Sequence, residues 1–152
     1  MEADFLMKFP DEEYDVIVDA IFGVGLKREV AGRHREVIER LNQMEALKVA
    51  VDVPSGVDAS AGQILGIAFE ADITVTFGLP KVGLLLYPGA DVSGEVIVKE
   101  IGFPNKAVEE IAPQMVSFTT DDLELLPERK AWTNKGSYGK VLLIAGSKNM
   151  AG

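Results

Sequence analysis

Apolar residues first gather at Asp15-Val-Ile-Val-Asp-Ala-Ile-Phe22, on consecutive rather than alternate positions. Such a run fits a strand buried on both faces, which places it centrally in a parallel sheet. The period then changes. Val37, Ile38, Leu41 and Met44 recur at three- and four-residue intervals, so a helix is expected from about Arg33 to Ala46. Leu47-Lys-Val-Ala-Val-Asp52 restores the strand pattern and is stopped by Pro54 and Gly56. Strand, helix and strand joined by a crossover make a βαβ unit. Asp72-Ile-Thr-Val-Thr-Phe77 is a third β-branched run, and Gly94-Glu-Val-Ile-Val-Lys-Glu-Ile101 is a fourth whose charged residues suit an edge. The sheet should hold at least four strands, and the fold class is α/β.

Pro104 to Ile111 reads as a short helix with proline in its first turn, and Pro113 ends the compact block. A domain boundary is expected there, dividing the chain into 1–112 and 113–152. Beyond it, Thr120-Asp-Asp-Leu-Glu-Leu-Leu126 predicts a short capped helix. Gly139-Lys-Val-Leu-Leu-Ile-Ala-Gly146 predicts a new strand entering a glycine turn, the start of a second α/β unit cut off after its first strand.

Composition narrows the chemistry. The 152 residues, 47% hydrophobic and 26% charged, can bury one sizeable core, so disorder is not expected. Without cysteine there is neither a disulfide framework nor a thiolate nucleophile or zinc–thiolate site, and an intracellular compartment is favoured. A net charge of -9, with 15 Lys and Arg that form no run, opposes a nucleic-acid partner. No apolar stretch approaches the ~20 residues of a membrane helix. Met1-Glu-Ala-Asp4 is acidic where a signal peptide is basic, so no membrane partner and a cytoplasmic location are expected.

Ligands of open α/β sheets bind outside the carboxyl ends of the parallel strands, which singles out the residues after Phe22, Asp52 and Phe77. Gly23-Val24-Gly25-Leu26-Lys27-Arg28 offers two glycines for close backbone approach and two cations behind them, a phosphate-binding pattern. The same G-x-G is as often a plain tight turn with Lys27 and Arg28 in solvent. Asp52-Val-Pro-Ser55-Gly-Val-Asp58 forms an oxygen-rich cup suited to a hard cation or sugar hydroxyls; the alternative is that Asp52 and Ser55 only brace the loop. Asp19 lies inside a buried strand, where a carboxylate is costly unless paired or cation-bound. Lys81, after Phe77-Gly-Leu-Pro80, reaches the same edge, either to hold an anion or move a proton, or as an ordinary loop lysine. His34, the single histidine, is expected to be an exposed position at the helix start between Arg33 and Arg35.

At Val18-Asp-Ala-Ile-Phe-Gly-Val-Gly-Leu26, Val51-Asp-Val-Pro-Ser-Gly-Val-Asp58, Thr74-Val-Thr-Phe77 and Lys81-Val-Gly83 the chain closely resembles the NAD(P)H-hydrate epimerase domain. Lys135-Gly-Ser-Tyr-Gly-Lys-Val-Leu-Leu-Ile-Ala-Gly-Ser-Lys-Asn-Met-Ala-Gly152 resembles the opening of the ADP- or ATP-dependent NAD(P)H-hydrate dehydratase domain, a ribokinase-like α/β unit that follows the epimerase in bifunctional microbial proteins. The resemblance implies a Rossmann-like, mostly parallel sheet flanked by helices that interconverts the R and S epimers of hydrated NADH or NADPH. It implies a bound potassium ion, homo-oligomers in many members, and ADP or ATP for the dehydratase of the parent.

Carried over by position, the resemblance makes Asp19 and Ser55 potassium ligands and Gly23, Val24, Gly25, Leu26, Lys27, Arg28 and Glu29 the substrate's phosphate loop. It makes Asp52 a substrate-contacting carboxylate and the leading candidate for proton transfer, with Lys81 second. The family's Asn-Asn-Gly-Gly-Asp-Gly segment is not in this sequence, and Val24 stands where threonine is common. The expectation is therefore a piece of a repair enzyme, inactive alone, with an unpaired sheet edge and no activity assigned to the dehydratase part. A non-enzymatic nucleotide-binding or protein-interaction module on the same fold is the alternative. A dehydrogenase is disfavoured, because no third glycine follows Gly25 to complete G-x-G-x-x-G.

Overall fold

The computed structural model describes residues 13–111, 115–118, 120–126, 128, 130–134 and 136–142. The backbone divides into two units, Met1–Pro113 and Gln114–Gly152. In the first, β1 (Val16–Asp19), β2 (Leu47–Val51), β3 (Ile73–Phe77) and β4 (Glu95–Lys99) form one parallel sheet in the order β1-β2-β3-β4. Helix α1 (Gly32–Gln43) connects β1 to β2, and α2 (Asn105–Ile111) follows β4. The observed class is α/β, as the hydrophobic pattern predicts.

Register explains which residues are covered. Asp19 lies opposite Ala50, Ala50 opposite Thr74 and Thr74 opposite Val96, so Ile17, Asp19, Ala50, Thr74 and Thr76 share one face. All five are buried. Helix α1 lays Ile38 and Leu41, with Met44 just past its end, on that face against Ile17, Ala50 and Phe69. A second cluster, Val53, Val57, Ala68 and Leu84 with Val92 and Val96, continues the core beneath the loops after β2 and β3. Asn42 fastens the helix to the connection ahead of β3, donating to the Ala68 carbonyl at 2.9 Å and accepting from the Glu70 amide at 3.0 Å.

The structure corrects the expected place of β1. Within the described sheet it stands at the edge, where a central place was expected: it pairs with β2 alone among the described strands, and Val16 and Val18 are exposed. A consecutive apolar run looks the same whether one face or both are covered; here α1 covers only the face of Ile17 and Asp19. The strand also stops at Asp19 instead of Phe22, because the Asp19 carboxylate accepts the Ile21 amide at 3.2 Å and turns the chain out of the sheet. Helix α1 ends at Gln43, three residues early, where Met44 adopts extended backbone (φ -78°, ψ 137°) leading into β2.

In the second unit, a 3₁₀ turn over Thr120–Leu125, with none of its residues buried, replaces the expected capped helix. It lacks a covered apolar face to favour a longer α-helix. The strand expected at Gly139 to Gly146 is not formed over residues 139–142, where Val141 and Leu142 are exposed; residues 143–146 lie outside the described residues.

Candidate active site

Two polar clusters form at the carboxyl ends of β1, β2 and β3. The first begins with Asp19, the last residue of β1, 1% exposed. Its Oδ2 accepts the Ser55 amide at 2.7 Å, and its Oδ1 accepts the Ser55 hydroxyl at 2.7 Å as well as the Ile21 amide. Ser55, fully buried, in turn accepts the Phe22 amide on Oγ at 2.9 Å. These hydrogen bonds satisfy the buried carboxyl oxygens, which makes the burial of Asp19 tolerable.

The next residue, Gly56, has φ +97°, and a Cβ there would stand 1.8 Å from the Ile67 carbonyl oxygen, so the turn that carries Ser55 requires glycine. Asp19, Ser55 Oγ and the Phe22 carbonyl, 3.4 Å from that hydroxyl, gather the oxygen donors that a hard cation takes. No group of three or more His, Asp or Glu side chains able to hold a metal occurs among the described residues. Hydroxyl and carbonyl oxygens beside one carboxylate are donors that suit a hard cation.

The second cluster centres on Asp52. Its φ of +69° is the only left-handed one among the described non-glycine residues, a conformation costing roughly 1–3 kcal/mol. The Asp52 amide still joins the sheet through the Val75 carbonyl at 2.8 Å, while the turn aims the carboxylate at β3. There Oδ1 accepts Lys81 Nζ at 2.5 Å, Thr76 Oγ1 at 3.1 Å and the Phe77 amide at 3.2 Å. Lys81 also donates to Thr76 Oγ1 at 3.1 Å and to the Phe77 carbonyl at 2.8 Å, so it is an anchored side chain and not a free loop lysine. Burial pushes the Asp52 carboxyl up, but the Lys81 hydrogen bond, the Phe77 amide, the Lys81 charge and the Thr76 hydroxyl together hold it below the ordinary carboxylate value. The pair is an ionised carboxylate and an ammonium in a partly buried pocket, each side chain 22% exposed, which suits acid–base work.

The glycine loop leaves Phe22 directly beside Ser55. Ile21, Phe22, Gly23, Gly25, Leu26, Lys27 and Arg28 line a shallow cavity. The Leu26 amide donates to the Gly23 carbonyl at 3.2 Å, and past Glu29 the loop is fastened by the Val30 amide to the Leu65 carbonyl at 2.8 Å. Val24, Lys27, Arg28 and Glu29 are exposed. Neither Gly23 nor Gly25 has a positive φ, and a Cβ on either would meet nothing within 4 Å, so the fold itself does not require glycine there. Asp19, Ser55, Asp52 and Lys81 are not among the residues that line this cavity.

Two residues singled out by type take structural parts. Asp58 closes its own turn, accepting the Ser60 amide at 2.7 Å and the Ala61 amide at 3.1 Å, and the Ser60 amide leads in holding its carboxyl below the usual range. His34 is half-buried with its ring 5.0 Å from that of Phe22, where an exposed helix-start position was expected. Conversely, sequence reasoning passed over Thr76. The available signal was Thr74 and Thr76 on the buried phase of β3, where a hydroxyl must find a partner.

Residues 2–83, more than half of the chain, match the YjeF-related protein N-terminus family. A bifunctional NAD(P)H-hydrate repair enzyme Nnr from Thermofilum pendens is 47% identical over 139 residues, 91% of this chain and 26% of its own length. One of the same name from Moorella thermoacetica is 40% identical over 140 residues, again 91% and 26%. An NAD(P)H-hydrate epimerase from Weissella koreensis is 46% identical over 95 residues, 62% of this chain and 43% of its own length. The chain thus spans about a quarter of the length of the bifunctional relatives and under half of the epimerase. On the extent of the family match, the chain belongs to the YjeF-related protein N-terminus family.

Proposed function

We propose that this chain carries part of the active site of an NAD(P)H-hydrate epimerase, a repair enzyme that interconverts the R and S forms of the hydrated cofactor. The observation that carries this reading is the Asp52–Lys81 pair, set in a strained turn three residues before the buried Ser55–Asp19 cluster. The names of the relatives supply the substrate class. Epimerisation at a carbon bearing hydroxyl and ring nitrogen requires a bond to open and reclose on the other face, aided by proton transfer at the hydroxyl. Asp52 is the group for that proton, ionised at neutral pH, and Lys81 keeps it so. The amides and cations of Gly23 to Glu29 hold the substrate's phosphates.

Asp19, Ser55 and the Phe22 carbonyl would hold a potassium ion. Bound there, the ion supplies a positive charge at the root of the phosphate loop. ADP or ATP would serve the dehydratase reaction of the parent protein, and the Gln114–Gly152 unit is assigned no activity.

The test follows loss of the R epimer of NADPH-hydrate in the full-length protein, with potassium and with sodium in its place. Conversion should need potassium, and Asp52→Ala should lower the rate by roughly 10²–10⁴-fold. Equal rates for wild type and Asp52→Ala would sink the reading. Nucleotide binding without any turnover would identify a binding module instead.

A further inference from the structure

Thr76 is the point at which the two members of the acid–base pair meet. It lies on β3, fully buried, and its hydroxyl donates to Asp52 Oδ1 while accepting from Lys81 Nζ, both at 3.1 Å. A hydroxyl has one proton to give and two lone pairs to accept with, so this arrangement assigns the proton to the carboxylate and a lone pair to the ammonium. Asp52 and Lys81 touch directly as well, which closes a ring of three contacts that includes one fully buried side chain.

A threonine rotamer is stiff, and this one is fixed further by a strand paired on both sides. Lysine has the opposite character: four flexible carbons and a point charge that one carboxylate alone would hold loosely. The Phe77 carbonyl and the Thr76 hydroxyl add two fixed acceptors, at 2.8 and 3.1 Å, so the ammonium position is set by three points.

We infer that Thr76 is a positioning residue, whose buried hydroxyl fixes the Asp52 carboxylate and the Lys81 ammonium relative to one another so that they act on substrate as one unit. This rests on the epimerase reading given above, and it adds a residue that acts only through the other two. Thr76 faces the sheet interior and contacts no cavity of the phosphate loop, so its effect falls on the chemical step rather than on substrate affinity.

The neighbouring threonine provides the matched control. Thr74 sits two residues earlier on β3, is equally buried, and spends its hydroxyl on the Ser93 carbonyl at 2.6 Å, away from the pair. Thr→Val at either position keeps the shape and deletes the hydroxyl. In the full-length protein, Thr76→Val should lower kcat by roughly ten- to a hundredfold with KM little changed, since small misplacements of reacting groups have effects of that order. Thr76→Ser, which keeps the hydroxyl, should recover most of the rate, and Thr74→Val should retain wild-type kcat.

A second measurement is independent of turnover. The rate at which trinitrobenzenesulfonate modifies Lys81, followed by mass spectrometry with the other lysines as internal standards, should rise several-fold in Thr76→Val and stay unchanged in Thr76→Ser and Thr74→Val. Wild-type kcat in a folded Thr76→Val protein, or unaltered Lys81 labelling, would overturn the inference. If the wild type itself converts no hydrate, the epimerase reading has failed, and the labelling comparison alone decides whether Thr76 holds the pair.

Discussion

Lys81 Nζ lies 2.5 Å from Asp52 Oδ1 although the two residues are 29 positions apart in the chain. Parallel pairing of β2 with β3 brings them together, since Val51 stands beside Val75 and the residues just beyond each strand share one edge. The left-handed backbone of Asp52 is held by its amide bond to Val75 and by three donors on its carboxylate. A strained conformation persists where several such contacts over-determine it, and these places are concentrated at functional sites.

The pair makes stability depend on pH in a defined direction. Burial alone would raise the Asp52 carboxyl, yet Lys81, the Phe77 amide and Thr76 hold it below its ordinary value. Its folded pKa therefore lies under its unfolded one, about 3.9. The linked stability is fully present above that unfolded value and is lost as pH falls through the folded one. With Lys81→Met the raising influence of burial is left less opposed, the folded value moves towards or past the unfolded one, and less stability should be lost as pH falls. Urea midpoints measured from pH 7 to pH 3 in both proteins check this; superimposable profiles would show that Lys81 does not stabilise the charged carboxylate.

Ser55→Ala tests the first cluster. The substitution removes one of the three donors on the buried Asp19 carboxylate and the acceptor of the Phe22 amide, and it adds nothing in their place. Leaving buried polar groups short of a partner costs about 1–3 kcal/mol. Urea unfolding should show a loss in that range with an unchanged m-value. The thermal midpoint of the wild type should also rise when potassium replaces sodium, and that difference should vanish in Ser55→Ala.

Much of the α/β layout could be read from the chain because β2, β3 and β4 are short β-branched runs with clear stops, and each is observed within about a residue or two of its expected bounds. The edge position of β1 could not, because Val16 and Val18 are apolar whether or not anything covers them. At the site, the residue types at Asp19, Ser55, Asp52 and Lys81 drew attention through where the strands end. Their contacts did not follow from type: the positive φ of Asp52 is a property of its tertiary surroundings, and the bridging part of Thr76 depends on a strand neighbour 24 positions away.

Gly25 and Gly56 separate a glycine kept for the fold from one whose reason lies outside it. At Gly56, φ is +97° and an added Cβ would overlap the Ile67 carbonyl oxygen at 1.8 Å, in a turn whose Gly56 and Ser55 carbonyls accept the Leu65 and Phe69 amides. Gly56→Ala combines backbone strain with overpacking and should cost roughly 3 kcal/mol or more. At Gly25, φ is ordinary and the space around the missing side chain is empty, so Gly25→Ala should unfold within about 0.5 kcal/mol of wild type. If the loop lets a phosphate approach the backbone, the same methyl obstructs it, and the full-length Gly25→Ala protein should bind NADPH about tenfold more weakly, or 1.4 kcal/mol by calorimetric titration. Unchanged affinity together with unchanged stability would remove the phosphate loop from the site.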